Sequence, residues 1–125
     1  MGAPSIATGP TDVPLLDLTI DESFVRAVAE HGEREALVSC HQGIRWTYDE
    51  FADRVWTLAS GLYAAGLRPG DRVGLWSPNY AEWTLVQYAT AHIGVILVNV
   101  NPAYRTHELA YALKQSGCRW LIAAP

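Results

Sequence analysis

The residues best placed to bind a ligand are Asn99 and Asn101, which end an apolar run of β-branched residues and precede Pro102. Such a run predicts a buried strand, and ligands of open α/β sheets bind beyond the carboxyl ends of the strands. Because side chains alternate along a strand, both asparagines lie on one side of it. Their amides could contact a ligand or a partner domain, or they could satisfy the backbone of the loop. The spacing alone favours the second, structural role.

Other patterns with catalytic or metal-binding potential are incomplete. Gly61 and Gly66 have the spacing of a phosphate loop, but the Lys that must follow the second glycine is missing. His107 and Glu108 begin a pattern like the zinc motif HExxH, but Tyr111 replaces the second histidine ligand. No GxGxxG segment follows a strand, which argues against a dinucleotide site. The sequence therefore predicts neither catalytic residues nor metal ligands in these segments.

Aromatic residues and histidine offer a second, weaker set of candidates. Five tryptophans could stack on a ligand ring, but they lie within apolar patterns that favour packing. His92 lies on an apolar helix, where a hydrogen-bonded core residue is more common than a ligand. The tryptophans are Trp46, Trp56, Trp76, Trp83 and Trp120.

The composition restricts the class of partner. The chain has 125 residues, half of them apolar, with a formal net charge of −4 and a single Lys. Without a basic run, nucleic acid and anionic membrane are disfavoured as partners. Cys40 and Cys118 are distant and fit a reducing compartment. With no secretory signal pattern and no apolar stretch of transmembrane length, we expect a cytoplasmic protein without a transmembrane segment.

The first half of the chain predicts a helix followed by a hairpin. The helix at 21–31 is expected to end in a left-handed Gly32. Strands at 36–40 and 44–47 form the hairpin, and a capping box of Thr47 and Glu50 then begins a long helix. That helix is expected to end at Gly66. The apolar face assigned to the first helix is Phe24, Val25, Val28 and Ala29.

The second half alternates strands and helices. Strands are predicted at 72–77, 95–100 and 120–124, and the last two are predicted to be buried. A helix capped by Asn79 and Glu82 is predicted after the strand at 72–77. The last helix has Leu109, Ala112, Leu113 and Ser116 facing inward.

The order β-α-β-α-β requires a parallel sheet with right-handed crossovers and helices on both faces. We therefore predict an α/β fold, a three-layer parallel-sheet subdomain preceded by a helix and a short hairpin. An apolar strand at the end of the chain would leave an open sheet edge, so we expect the subdomain to be incomplete. The expected organisation is a flexible tail at 1–17 and this subdomain at 18–125.

Three segments together carry a resemblance to a known family: TYDEF at the start of the long helix, GLRPGDRVGLWSPN, and NVNPAYRTHEL. In this order the chain resembles the N-terminal subdomain of adenylate-forming, AMP-binding enzymes. Within them it is most similar to fatty-acid and medium-chain acyl-CoA synthetases. The resemblance covers residues 20–125 and implies the N-terminal portion only.

The resemblance implies a function for a longer parent protein. Such enzymes use ATP and Mg²⁺ to join a fatty acid to AMP and then transfer the acyl group to coenzyme A (CoA). The family's phosphate loop and catalytic Lys match no segment here, so we expect the fragment alone to bind no cofactor and to be inactive. Its partners would be the rest of the parent chain and, through it, fatty acid, ATP and CoA. The resemblance also suggests that Arg105 contacts a CoA phosphate, and a solvated Arg105 is the alternative.

Two other functions stay open on the sequence. The chain could be a stand-alone interaction module without catalysis that pairs its open sheet edge with a partner. It could also be an independent nucleotide-binding α/β domain, which the missing phosphate loop disfavours.

Overall fold

The computed structural model describes residue 5, residues 7–10 and residues 12–125. The predicted tail at 1–17 falls partly outside these residues. The observed elements are α1 (Ile20–His31), β1 (Glu35–Ser39), a 3₁₀ turn (Cys40–Gln42), β2 (Ile44–Thr47), α2 (Tyr48–Ala65), β3 (Arg72–Trp76), α3 (Ala81–His92), β4 (Ile96–Val100), α4 (Thr106–Ser116) and β5 (Trp120–Ala123).

The strands form two sheets, as the element order predicts. β1 and β2 pair antiparallel as a hairpin. The other three strands form a parallel sheet in the order β4-β3-β5, with β3 in the centre. The backbone of Gly74 in β3 faces Leu113 of α4, whereas the flanking Val73 packs in a cluster with Leu67, at the end of α2. Helices thus cover both faces of the sheet, and the predicted α/β architecture is confirmed.

Local capping signals set the limits of α2. The hydroxyl of Thr47 accepts from the backbone N–H of Glu50 at 3.2 Å, and the Glu50 carboxylate accepts from the N–H of Thr47 at 3.0 Å. At the other end Gly66 is left-handed with φ of 117°, and Leu67, which is buried, donates its N–H to the carbonyl of Leu62 at 3.1 Å. Both predicted ends of this helix are confirmed.

α1 ends at His31 as predicted, but the predicted left-handed conformation of Gly32 is wrong. Gly32 has φ of −40° and ψ of −46°, which is right-handed helical geometry that any residue adopts. A Cβ on Gly32 would lie 2.5 Å from both carboxylate oxygens of Asp49, so a larger residue here requires the Asp49 side chain to move. The backbone N–H of Asp49 also donates to the carbonyl of Gly32 at 3.0 Å. The glycine therefore permits the start of α2 to pack closely against the end of α1.

The apolar face of α1 is rotated from the prediction. Phe24 is buried and Ala27 and Val28 are half-buried, whereas Val25 is 44% exposed and Ala29 is exposed. Positions three and four residues after Phe24 share its face in an α-helix, while the residue directly after it points about 100° away. Val28 was assigned correctly, and Val25 and Ala29 were not.

The predicted burial of the two outer strands holds only in part, since Val95 and Val100 are buried but other residues are not. Ile96 in β4 is 47% exposed, and Trp120 and Leu121 in β5 are 39% and 42% exposed. Among the residues that the structure describes, each of these strands pairs with β3 alone, so its other edge and part of one face are uncovered. The inward face predicted for α4 is confirmed, since Leu109, Ala112, Leu113 and Ser116 are all half-buried.

Candidate functional site

The C-terminal ends of the three parallel strands lie side by side, and this end of the sheet is here called the carboxyl edge. In the register of the sheet, Trp76 of β3 lies opposite Val100 of β4 and Ala123 of β5. Ligands of open α/β sheets bind beyond this carboxyl edge. We therefore take the segments that leave these strands as the candidate site.

The segment that follows β4 is a tight turn built by Asn101. Its backbone carbonyl accepts the N–H of Tyr104 at 3.0 Å, and its side-chain Oδ1 accepts the N–H of Ala103 at 2.9 Å. Asn at the first position and Pro102 at the second are favoured residues for such a turn. The structural role that the spacing favours for Asn101 is therefore confirmed.

Asn99 lies apart from that turn. It pairs in register with Leu75 and is exposed, lining a groove of about 380 Å³ beside Trp83 and Gln87. The structure records no side-chain hydrogen bond for Asn99 within the described part of the chain. Of the two asparagines, Asn101 is therefore the one whose side chain has a recorded hydrogen bond in the loop.

Trp76 connects all three strand ends. Its indole Nε1 donates to the backbone carbonyl of Asn101 at 3.1 Å, and its own carbonyl accepts the N–H of Ala124 at 3.1 Å. Neither bond was predicted from the sequence, where Trp76 was one of five tryptophans assigned to packing. The available signal was its position at a strand end, where the polar N–H of a tryptophan needs a partner.

Arg105 stands directly before α4, at the end of the turn. Its backbone N–H donates to Oε2 of Glu108 at 3.2 Å, and its side chain is exposed. Within residues 12–125, the structure records no ion pair of its guanidinium. Arg105 therefore offers an unneutralised cation at the carboxyl edge.

Glu108 has the predicted helix-start role. The described residues contain no cluster of potential metal ligands.

The start of α3 departs from its prediction. Tyr80, and not Asn79, precedes the helix, and its side chain makes no capping bond. The cap comes from the hairpin: Oε1 of Gln42 accepts the N–H of Ala81 at 2.8 Å, and Nε2 of Gln42 donates to the carboxylate of Glu82 at 2.8 Å. The Ser39 hydroxyl donates to the same Oε1 at 2.7 Å. Gln42 thus binds the hairpin to the first turn of α3.

The hydrogen bond from Gln42 also changes the pKa of the Glu82 carboxyl. The amide of Gln42 and then the backbone N–H of Glu82 itself hold the pKa of the Glu82 carboxyl below its ordinary value of 4.5, against a small opposing effect of burial. A carboxyl whose pKa is lower in the folded state stabilises the fold above the unfolded-state pKa and loses this contribution as the pH falls through the folded-state pKa. The Gln42 contact is therefore strongest at neutral pH.

We predict that Gln42→Met lowers the free energy of unfolding by about 1 kcal/mol at neutral pH, as expected for a lost helix cap. Met retains the length of the side chain but removes both the acceptor for Ala81 and the donor for Glu82. Urea unfolding at several pH values measures the effect. The difference between variant and wild type should shrink as the pH falls below 4.5 and through the lower pKa that Glu82 has in the folded state. A difference that is independent of pH would contradict this assignment.

A cleft of about 440 Å³ lies between α3 and the carboxyl edge. Its walls are mainly apolar, with Leu75, Trp83 and Ile122 among them, and Ser77 and Glu82 lie at its polar side. The Ser77 hydroxyl donates to the carbonyl of Pro78 at 2.9 Å, so it is engaged in the local turn. The lining residues include no Lys and no Arg. Without a cation, this cleft is unsuited to holding phosphates.

His92 and the tryptophans were assigned to the core, and the structure corrects part of this. His92 does form a hydrogen bond, with its Nδ1 2.7 Å from Oδ1 of Asp21, but its side chain is 36% exposed. The bond joins the end of α3 to the start of α1. Trp46 packs on Phe51 as expected, whereas Trp56 is 38% exposed.

No helix in the described residues is both long enough and apolar enough to cross a membrane.

Solved structures share this fold, and two of them illustrate the match. The N-terminal domain of FACL13 from Mycobacterium tuberculosis aligns with a TM-score of 0.81 at 26% identity, over 85% of this chain and 27% of that chain. The N-terminal subdomain of NpsA from Klebsiella oxytoca aligns with a TM-score of 0.79 at 26% identity, over 84% of this chain and 27% of that chain. The fold is therefore that of the N-terminal subdomain of adenylate-forming enzymes, as the resemblance predicts.

The family follows from the sequence match. The model of the AMP-binding enzyme family matches residues 24–125, and the chain belongs to this family. The mitochondrial medium-chain acyl-CoA ligase ACSF2 of Mus musculus is 43% identical over 122 residues, which are 98% of this chain and 20% of that protein. The acyl-CoA ligase sidI of Aspergillus fumigatus is 40% identical over 121 residues, or 97% of this chain and 20% of that protein. The chain spans about a fifth of the length of these curated relatives.

Proposed function

We propose that this chain is the N-terminal part of an ATP-dependent fatty acyl-CoA synthetase. The reaction joins a carboxylate to ATP, giving acyl-AMP and pyrophosphate, and the thiol of CoA then displaces AMP to give acyl-CoA. The observation that carries the proposal is the 43% identity with a medium-chain acyl-CoA ligase over 98% of this chain. A medium-chain acid is accordingly the proposed substrate class.

The described residues supply a scaffold for this reaction. Transfer of a nucleotide to a carboxylate needs cations around the phosphates and, in this chemistry, Mg²⁺. Residues 12–125 hold no cluster of metal ligands, and the cleft beside α3 lacks cations. They do not fit ATP or Mg²⁺, which would be bound by the rest of the parent chain. We therefore propose that the fragment alone is inactive.

CoA is a substrate to which these residues can offer a specific contact. A guanidinium matches the oxygens of a phosphate in charge and geometry. Arg105 is exposed at the carboxyl edge and has no recorded ion pair in the described part of the chain. It fits one CoA phosphate, and we propose that contact.

The location of the protein remains a prediction. The sequence favours the cytoplasm, while the name of the mouse relative places that protein in mitochondria. Imaging of the complete protein with a tag at its C-terminus would distinguish the two compartments. Mitochondrial signal would overturn the cytoplasmic prediction without affecting the proposed reaction.

The proposed reaction is tested with the complete protein encoded by the reading frame that contains these residues. We expect release of pyrophosphate that depends on ATP, Mg²⁺ and a medium-chain fatty acid, and formation of acyl-CoA when CoA is added. Acids of increasing chain length define the preference. Residues 1–125 expressed alone serve as the control and should show no turnover. Absence of acyl-CoA formation by the complete protein with all these acids would refute the proposal, and would leave the interaction module as the alternative.

A further inference from the structure

We infer that Trp76 is a positioning residue that fixes the loop between β4 and α4, here called the edge loop (residues 101–105), and through it the guanidinium of Arg105. The inference rests on the proposed function, in which Arg105 contacts CoA. Its structural basis is the bond of 3.1 Å from the indole Nε1 of Trp76 to the carbonyl of Asn101.

The edge loop is held at its beginning, middle and end. Trp76 binds its first residue, and the side chain of Asn101 accepts the N–H of Ala103 at 2.9 Å. Its last residue, Arg105, donates its N–H to Glu108 at 3.2 Å. The second and third bonds lie within the loop and α4. Among the residues that the structure describes, the bond from Trp76 is the one side-chain hydrogen bond that attaches the loop to the central strand.

Trp76 is suited to this role by its place in the sheet. It ends β3, the central strand, and its carbonyl also accepts the N–H of Ala124 beyond β5. The indole supplies one N–H donor and no acceptor, so its hydrogen bond has a defined direction. The partner carbonyl of Asn101 also accepts from Tyr104, so the turn can still form without the indole bond. We therefore expect a Trp76→Phe loop whose turn still forms but opens more often, because its first residue is no longer held to the sheet by the indole.

A loop that opens more often would misplace the charge of Arg105. Hydrogen bonds between a guanidinium and a phosphate are strong only in a narrow geometry, so the position of the backbone controls their strength. We expect Arg105→Ala to raise the KM for CoA about 10-fold, the usual scale for a lost hydrogen bond to a charged group. Trp76→Phe should raise it about 3-fold, because the guanidinium is retained but less well placed.

The experiment uses the complete protein and separates the two half-reactions. Exchange of pyrophosphate with ATP reports acyl-AMP formation and should be unchanged in Trp76→Phe, while the KM for CoA rises at constant kcat. The double variant Trp76→Phe/Arg105→Ala should have the same KM for CoA as Arg105→Ala, since Trp76 acts through Arg105. Asn101→Ala weakens the loop from within and should resemble Trp76→Phe, while Trp56→Phe, an exposed tryptophan on α2, is the matched control.

A second measurement does not depend on turnover. Hydrogen exchange of the amides of Ala103 and Tyr104 should be faster in Trp76→Phe than in wild type or Trp56→Phe, and calorimetry gives the affinity for CoA directly. Unchanged exchange would overturn the anchoring role of Trp76. An elevated KM in Arg105→Ala without any change in Trp76→Phe would also overturn it, leaving the Arg105 contact intact. An unchanged KM in Arg105→Ala would refute both, whereas an inactive wild-type protein would refute the proposed function instead.

Discussion

Replacing Phe51 with Ala is expected to lower the free energy of unfolding by about 3–5 kcal/mol. Phe51 is 3% exposed and lies at the centre of an aromatic cluster. Its ring contacts Phe24 and Tyr88 edge to face, each at 5.5 Å between centroids, and stacks on Trp46 at 6.2 Å. One side chain therefore joins α1, α2, α3 and the hairpin, so the cavity left by Ala weakens four elements together.

Urea unfolding of the 125-residue chain, followed by circular dichroism, measures this cost. Phe51→Leu retains most of the volume and should lose about 1.5 kcal/mol or less. Trp56→Ala removes an aromatic side chain from the exposed side of the same helix and should cost below about 1 kcal/mol. Equal losses in Phe51→Ala and Trp56→Ala would show that the aromatic cluster is not the main core of this half of the chain.

Features determined by neighbouring residues could be predicted from the sequence. The capping box of Thr47 and Glu50 and the left-handed Gly66 need only local backbone geometry, and both are confirmed. The turn of Asn101 and Pro102 is likewise local. The alternation of strands and helices was sufficient to predict the parallel sheet, because few topologies join short parallel strands.

Features determined by contacts between distant segments could not be predicted in this way. The cap of α3 comes from Gln42, 39 residues before Ala81, so the local pattern indicated Asn79 instead. The carboxylate of Asp49 lies against Gly32, and only the packing of α1 on α2 brings it near. The predictions for the cap of α3 and for the backbone of Gly32 are wrong because each assumed a local signal, whereas contacts between distant segments determine both features.

The candidate site likewise combines features that the sequence predicts with features that depend on contacts between distant segments. The topology rule located the carboxyl edge, and the family resemblance selected Arg105 there. The link from Trp76 to Asn101 depends on the register of β3 against β4, which places Trp76 opposite Val100. Register is a property of the assembled sheet, so the position of Trp76 at a predicted strand end indicates that its N–H needs a partner but does not identify Asn101 as that partner.

Gly74→Val is expected to lower the free energy of unfolding by about 1–3 kcal/mol, because the space beside this glycine is already filled. A Cβ at this position would lie 3.0 Å from Cδ2 of Leu113 and 3.1 Å from Cδ1 of Leu121. Carbon atoms pack best at about 3.5–4.0 Å, so the first added atom is already too close, and the larger Val side chain requires the two leucine side chains to move. The glycine thus permits α4 to approach the centre of the sheet.

Whether Gly74→Val lowers or raises the free energy of unfolding shows whether the face beside Gly74 is filled or open. Glycine inside a strand is unfavourable and Val is a strong strand former, so Val would stabilise β3 if the face were open. Leu113→Ala in the Gly74→Val background removes the closest atom and should recover part of the loss, with a coupling energy of about 0.5–3 kcal/mol in a double-mutant cycle. Leu109→Ala, another half-buried leucine of α4, is the matched control and should show little coupling. Stabilisation by Gly74→Val, or strictly additive costs with Leu113→Ala, would mean that α4 can move away from β3, and that the edge loop before it is not rigidly placed.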